Sequence, residues 1–113
     1  MQTQPLVAII IPTRDKGEDL VNCLYSIEGL AYPHENIEVI VWDNASDTSS
    51  KAIVREKLTG MKKEKRRRNE YIESDHNFGV YHSRQELINR VHPEIELVCS
   101  LDDDVILPEQ MLL

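Results

Sequence analysis

No stretch of this 113-residue sequence approaches the ~20 consecutive apolar residues that a membrane-crossing helix needs. The opening, Met1-Gln2-Thr3-Gln4-Pro5, lacks the basic and apolar regions of a secretion signal. Cysteine is scarce. Cys23 and Cys99 form no Cys-x-x-Cys pair, which argues against a disulfide framework and reads as two small buried residues in a reducing, cytoplasmic setting. The four histidines are scattered, with no HExxH spacing. Positive charge is outnumbered: the net charge is −7, which disfavours bulk nucleic-acid binding. Glycine is thin where phosphate loops need it. The segment Pro12-Thr13-Arg14-Asp15-Lys16-Gly17 holds a single glycine, so it is neither GxGxxG nor GxxxxGK[ST]. That argues against a nicotinamide-type dinucleotide site and against a P-loop.

What the chain does contain is alternation. Leu6-Val7-Ala8-Ile9-Ile10-Ile11 is a continuous β-branched run, as in a strand covered on both faces of a parallel sheet, and Pro12 ends it. Leu20, Leu24, Ile27 and Leu30 then recur at helical spacing, flanked by Val21 and Cys23, until Gly29 and Tyr32-Pro33. Residues 37–42 read as a second strand, closing in the turn and cap cluster Asp43-Asn44-Ala45-Ser46-Asp47. A helix over 48–58 follows, with Ala52 and Ile53 inward and Gly60 as its stop. The basic run 62–68 is a solvated loop or frayed helix end, or else a contact for a phosphate-rich or anionic membrane surface. Residues 69–73 form a weaker strand, expected near a sheet edge. A helix over 80–91 places Leu87, Ile88 and Val91 on one face, with Arg84 one turn earlier, and His92-Pro93 ends it. Residues 97–101 make a fourth strand, and Pro108 opens a further helix. The order βαβαβαβ predicts one α/β domain over 1–113: a Rossmann-like, mainly parallel sheet with helices on both faces and right-handed crossovers.

The least expected residues are Asp102-Asp103-Asp104, set between the apolar run 97–101 and Val105-Ile106-Leu107. Like charges repel, and burying a carboxylate is costly. A divalent cation with oxygen ligands compensates such a cluster; a solvated acidic turn is the alternative. In extended backbone Asp102 and Asp104 would share a face, about 7 Å apart at Cα. Open α/β sheets bind ligands beyond the carboxyl ends of their strands. Every polar cluster falls at such an end: Thr13-Arg14-Asp15, Asp43-Asn44, Asp75-His76-Asn77, and the triplet. An acidic protein that grips a diphosphate needs a metal between the two. Asp43 is placed either to accept hydrogen bonds from a ribose or base edge, or to make a helix cap or Asx turn.

Together these segments resemble family-two glycosyltransferases. Val7-Ala8-Ile9-Ile10-Ile11-Pro12-Thr13-Arg14-Asp15 is similar to that family's opening strand and Pro-Thr-Tyr-Asn loop, and Cys23-Leu24-Tyr25-Ser26-Ile27 to the next helix. Glu38-Val39-Ile40-Val41-Trp42-Asp43-Asn44-Ala45-Ser46-Asp47-Thr48 resembles its Val-Val-Asp-Asn-Gly-Ser-Thr-Asp segment. Asn77-Phe78-Gly79-Val80 with Ser83-Arg84-Gln85 resembles its Asn-x-Gly-x and Ala-Arg-Asn pair, and Leu101-Asp102-Asp103-Asp104 its DxD motif. The order matches over almost the whole chain. The resemblance implies the nucleotide-binding half of a GT-A fold, which binds a nucleoside-diphosphate sugar with Mg²⁺ or Mn²⁺. It further implies sugar transfer, with inversion, to a saccharide, lipid or protein acceptor. By position, Pro12, Thr13, Arg14 and Asp15 would line the nucleoside pocket and Asp43 would contact the base. Asn44, Asn77 and Gly79 would belong to the nucleotide-sugar site, and Arg84 would lie near the base or diphosphate. Asp102 would reach the ribose or metal, Asp103 the ribose or sugar, and Asp104 the metal.

There are departures from the family pattern. Arg14-Asp15 stands where Tyr-Asn is usual, and Gln85 where Asn is usual. Ala45 replaces a glycine, which implies a turn without positive φ. Three consecutive acids leave the DxD register open by one residue. Leu113 follows soon after Asp104, ahead of the acceptor-binding half that carries the family's catalytic base. The chain is therefore expected to be the donor-binding part, with the base unassigned, and to self-associate through apolar surface that the other half would cover. Two further readings compete. One is a non-catalytic nucleotide- or metal-binding module. The other is a receiver-like signalling domain, which would put its phospho-accepting Asp after the third strand, whereas the dominant cluster here follows the fourth. The expected compartment is the cytoplasm, with attachment to the inner face of a membrane as a variant.

Overall fold

The computed structural model describes residues 4–61 and 67–111. Four strands, β1 (Val7–Thr13), β2 (Ile37–Asn44), β3 (Arg68–Ser74) and β4 (Leu97–Ser100), pair in one all-parallel sheet of order β3-β2-β1-β4. Helices α1 (Gly17–Glu28), α2 (Thr48–Met61) and α3 (Gly79–Arg90) connect them, with a short 3-10 turn at His34–Asn36 before β2. The β-branched run of β1 suits its central position. All its residues are buried, as are all those of β2.

Alternation along the strands splits the core in two. Val7, Ile9 and Ile11 of β1 and Val39 and Val41 of β2 face α1 and α2, meeting Leu20, Leu24, Ile27, Val54, Leu58 and Met61. Ile10, Ile40 and Trp42 face the other way and pack on Leu87 of α3. Helices thus cover both faces, as the pattern predicts. Burying each such aliphatic side chain contributes about 1.5–3 kcal/mol. Glu38 is the one charged residue of β2 inside the second layer, at 1% exposure. Its carboxylate accepts from Arg68 Nη1 at 3.3 Å and from the backbone N–H of His92 at 3.2 Å. A buried carboxylate needs such partners, and these two tie the edge strand β3 and the end of α3 to the centre.

The expected stripe Leu20, Leu24, Ile27 and Leu30 is buried, and β3 does lie at an edge. Several local expectations are corrected. In α2, Ala52 and Ile53 point outward, and Ser50, Val54, Leu58 and Met61 point in. The phase follows from a close helix approach: a Cβ on Gly17 would lie 2.9 Å from the Cα of Ser50, which turns Ser50 toward α1. Gly60 does not stop that helix, because buried Met61 anchors one residue more. In α3, Ile88 is exposed while Leu87 is buried and Val91 packs beside it. β4 ends at Ser100, one residue before Leu101. The segment after Pro108 is a turn, closed by Met111 N–H on the Pro108 carbonyl at 3.1 Å. Of the basic run 62–68, residues 62–66 lie outside the described residues; Arg67 pairs with Glu94, and Arg68 with Glu38 and Glu70. Both cysteines are free, with Cys23 buried and Cys99 half-buried. No helix among the described residues is long and apolar enough to cross a membrane.

Candidate functional site

All four strands point their carboxyl ends to one edge of the sheet, and the loops there enclose a cleft of about 430 Å³. Pro12, Thr13, Arg14 and Lys16 come from the β1–α1 loop. Asn44 ends β2, and Asn77, Gly79 and Val80 come from the start of α3. Asp102, Asp103 and Asp104 close the cleft. The triplet is not extended strand. It lies in a turn, with the N–H of Val105 on the Asp102 carbonyl at 3.3 Å, so strand alternation does not govern its side chains.

Each aspartate of the triplet has a different environment. Asp102 is exposed, and its Oδ1 accepts from Arg84 Nη2 at 2.6 Å. Asp103 turns toward β1, where its Oδ2 accepts from Thr13 Oγ1 at 2.9 Å. Partial burial raises the pKa of Asp103, and the neighbouring charge of Asp104 adds to that; the Thr13 hydroxyl, Lys16 and the backbone N–H of Arg14 oppose it. Asp104 is exposed. Beneath them sits Cys23, whose thiol is pushed up to about 11 by burial and by the charges of Asp103 and Asp104. Arg84 itself is not on the cleft wall. Its Nε is buried with no hydrogen-bond partner.

The end of β2 is a hydrogen-bonded hub. Asp43 is 1% exposed, and its oxygens are engaged: Oδ1 accepts from Ser46 N–H at 2.7 Å and Oδ2 from Tyr71 Oη at 2.5 Å. The bond to an N–H three residues on is of the capping kind, one of the roles open at the level of sequence. Burial and the Asp43 hydrogen bond push the Tyr71 hydroxyl far above its ordinary pKa, so it acts as a donor. Ala45 follows with φ +57°, against the expectation of a turn without positive φ. With that left-handed residue the chain reverses and Ser46 N–H meets Asp43. Asn44 Oδ1 accepts from Trp42 Nε1 at 3.1 Å and from Phe78 N–H at 3.3 Å, and its Nδ2 donates to Ser83 Oγ at 2.6 Å. Ser83 in turn donates to the Gly79 carbonyl at 2.6 Å. Asn44 therefore hangs the start of α3 on β2.

Asp15 faces away from the cleft. It also has positive φ (+53°), and it ties two loops together: its N–H donates to Ser46 Oγ at 2.9 Å and its Oδ1 accepts from Asp47 N–H at 2.7 Å. Asn77 Oδ1 accepts from Gly79 N–H at 3.0 Å.

The structure thus gathers Pro12, Thr13, Arg14, Asn44, Asn77, Gly79 and the triplet around one cleft. It sets Asp15, Asp43 and Arg84 behind the wall. Reading the sequence for sites passes over Lys16 and Val80 on the wall, and Tyr71, Ser46 and Ser83 behind it. Lys16 shares a loop with three flagged residues, a signal that was there to use; nothing in the sequence pairs Tyr71 with Asp43.

No group of three or more His, Cys, Asp or Glu side chains is placed to hold a metal unaided among the described residues. The donor set nevertheless fits a hard divalent cation. Asp103 and Asp104 offer carboxylate oxygens that no ion pair occupies among the described residues, and Mg²⁺-type ions are commonly held by one or two carboxylates plus ligand phosphates.

The profile of "Glycosyl transferase family 2" matches residues 8–113. Glycosyltransferase AglE of Haloferax volcanii is 37% identical over 54 residues, which cover 48% of this chain and 18% of that protein. Among solved structures, the mannosyltransferase PcManGT from Pyrobaculum calidifontis, in complex with GDP-Man and Mn²⁺, superposes with a TM-score of 0.81 at 23% identity. The superposition covers 95% of this chain and 30% of that one. TarS 1-349 of S. aureus in complex with UDP gives a TM-score of 0.77 at 21% identity, over 94% of this chain and 29% of that one. The fold is therefore that of the N-terminal α/β part of a GT-A fold, and the chain spans under a third of these proteins' length.

Proposed function

The chain belongs to glycosyl transferase family 2, and from that premise we propose that it forms the donor-binding part of an enzyme that transfers a sugar from a nucleoside diphosphate. One observation carries the reading. Three aspartates, Thr13 and two loop cations meet at the carboxyl ends of a parallel sheet, where such folds take nucleotides. The complexes of PcManGT with GDP-Man and Mn²⁺ and of TarS with UDP support the ligand class.

In this reading Pro12 and Thr13 form the floor of the nucleoside pocket, with Asn77 and Gly79 along its other side. Asp43 and Asn44 serve the pocket from behind: Asp43 sets the turn after β2, and Asn44 sets α3. Arg84 holds Asp102, while Thr13 orients Asp103 toward the cleft. Asp103 and Asp104, with Asp102 beside them, would hold Mg²⁺ or Mn²⁺, and a bound ion there would stabilise the charge that develops on the departing diphosphate. Transfer with inversion needs a carboxylate base on the acceptor side, and no residue of this chain is assigned to it. The acceptor is a saccharide, lipid or protein.

Two further elements of the proposal concern the protein's surroundings. The free cysteines and the absence of a long apolar helix among the described residues accord with a cytoplasmic site. Leu97 and Val98 of the edge strand β4, and Ile106 beyond it, are exposed, so the isolated chain is expected to self-associate at high concentration. Sedimentation that stays monomeric at millimolar concentration would count against this.

The test of the main reading is calorimetric titration of ADP, GDP, UDP and CDP, each with and without Mn²⁺. One of them should bind in a metal-dependent way that Asp104→Ala abolishes. A folded protein that binds none of the four, with or without Mn²⁺, would contradict the proposal.

A further inference from the structure

Counting charges around the cleft leaves one cation without an assigned partner. Asp102 is paired with Arg84 at 2.6 Å. Asp103 is met by the neutral hydroxyl of Thr13, and Asp104 has no ion pair among the described residues. A divalent ion at Asp103 and Asp104 would offset those two charges and little more. A diphosphate then brings further negative charge, which a nearby cation would offset. The balancing cation must come from the wall. Arg84 is occupied and lies off the wall, and Arg14 is drawn to Asp15, with Nε 3.6 Å from Oδ2.

Lys16 differs from both. It lines the same cleft as the triplet, it forms no ion pair among the described residues, and its side chain is exposed. Its backbone is anchored, because its carbonyl accepts from Leu20 N–H at 2.8 Å as α1 begins. A fixed root with a free, flexible stem is the way lysine presents a mobile point charge. We propose that Lys16 binds the diphosphate of the donor, supplying the positive charge that Arg84 has committed to Asp102. This rests on the donor-site reading above.

The proposal makes two effects of opposite sign. With Mn²⁺ present, Lys16→Gln should weaken binding of the tightest nucleoside diphosphate by about tenfold or more, as loss of a charge-assisted hydrogen bond implies. The matching nucleoside should bind the variant as it binds the wild type, and Lys16→Arg should retain most of the affinity. Mn²⁺ alone should bind Lys16→Gln at least as tightly as wild type, because a repelling cation is gone. Calorimetry reads all four quantities, and circular dichroism confirms the fold. Equal diphosphate affinity in wild type and Lys16→Gln, or a parallel loss for nucleoside and diphosphate, would overturn the role of Lys16 and leave the donor site standing. A wild-type protein that binds no nucleoside diphosphate would remove the donor-site reading, and this role with it.

Discussion

Thr13 and Asp103, 90 residues apart in the chain, are joined by a 2.9 Å hydrogen bond from Oγ1 to Oδ2. That bond links the end of a central strand to the turn after an edge strand. It also gives a half-buried carboxylate its only side-chain donor among the described residues. Thr13→Val keeps the shape and removes the donor. Stability should fall by about 1.5–3 kcal/mol, the usual loss for a hydrogen bond to a charged group. Urea unfolding measures it, and an unchanged midpoint would show that the bond carries no weight.

Ala45 adopts φ +57° without the freedom of glycine. A left-handed alanine costs about 1–2 kcal/mol relative to a right-handed one, and glycine escapes most of that. Ala45→Gly should therefore raise the melting temperature by about 4–8 °C per kcal/mol recovered, offset in part by the entropy glycine loses on folding. A lower melting temperature would mean that the alanine methyl packs more strongly than its strain costs.

Asn44 is a tie between β2 and α3, with Trp42 Nε1, Phe78 N–H and Ser83 Oγ as partners. Asn44→Ala leaves two donors, Trp42 Nε1 and Phe78 N–H, without their acceptor, while Ser83 keeps the Gly79 carbonyl, so the domain should lose about 2–4 kcal/mol. Hydrogen exchange should show the first turn of α3 opening well before the rest of the helix. Uniform loss of protection across the sheet would contradict a local role.

Asp47 caps α2: its Oδ1 accepts from Ser50 N–H at 2.8 Å and Ser49 Oγ at 3.1 Å. The Ser50 backbone bond first, and the Ser49 hydroxyl next, hold its pKa below the usual carboxylate value. A depressed folded-state pKa contributes stability above the unfolded value, about 3.9, and loses it as pH falls through the folded one. Asp47→Ala should thus melt lower than wild type at neutral pH, and the gap should close in acid. A gap that stays constant down to pH about 2 would rule out the linkage.

The succession of elements and both helical layers were legible because they rest on local pattern; the order of the strands across the sheet was not. β1 is built on the six-residue apolar run 6–11, and Leu20, Leu24 and Ile27 recur at one period. The phase of α2 was not, because Ser50 is turned inward by Gly17 on another helix, a contact no window along the chain contains. Ile88 misled for a related reason: α3 meets the sheet through Leu87, while the flank toward β4 is left open. The cleft was found by its position at the strand ends and by the run of acids. What the sequence could not reveal was direction. Asp15, Asp43 and Arg84 are in the right loops and elements, yet hydrogen bonds to Ser46, Asp47, Tyr71 and Asp102 turn them behind the wall.

The central claim is that the triplet and Thr13 hold a metal–diphosphate together. Paramagnetic Mn²⁺ tests it most directly, because it broadens amide signals only near where it binds. In the presence of the preferred nucleoside diphosphate, sub-stoichiometric Mn²⁺ should bleach the amides of Thr13, Asp103, Asp104 and Gly79 first, and leave those of β3 and the Tyr25 side of α1 sharp. Broadening centred elsewhere, or broadening at the triplet that is indifferent to the nucleotide, would contradict it.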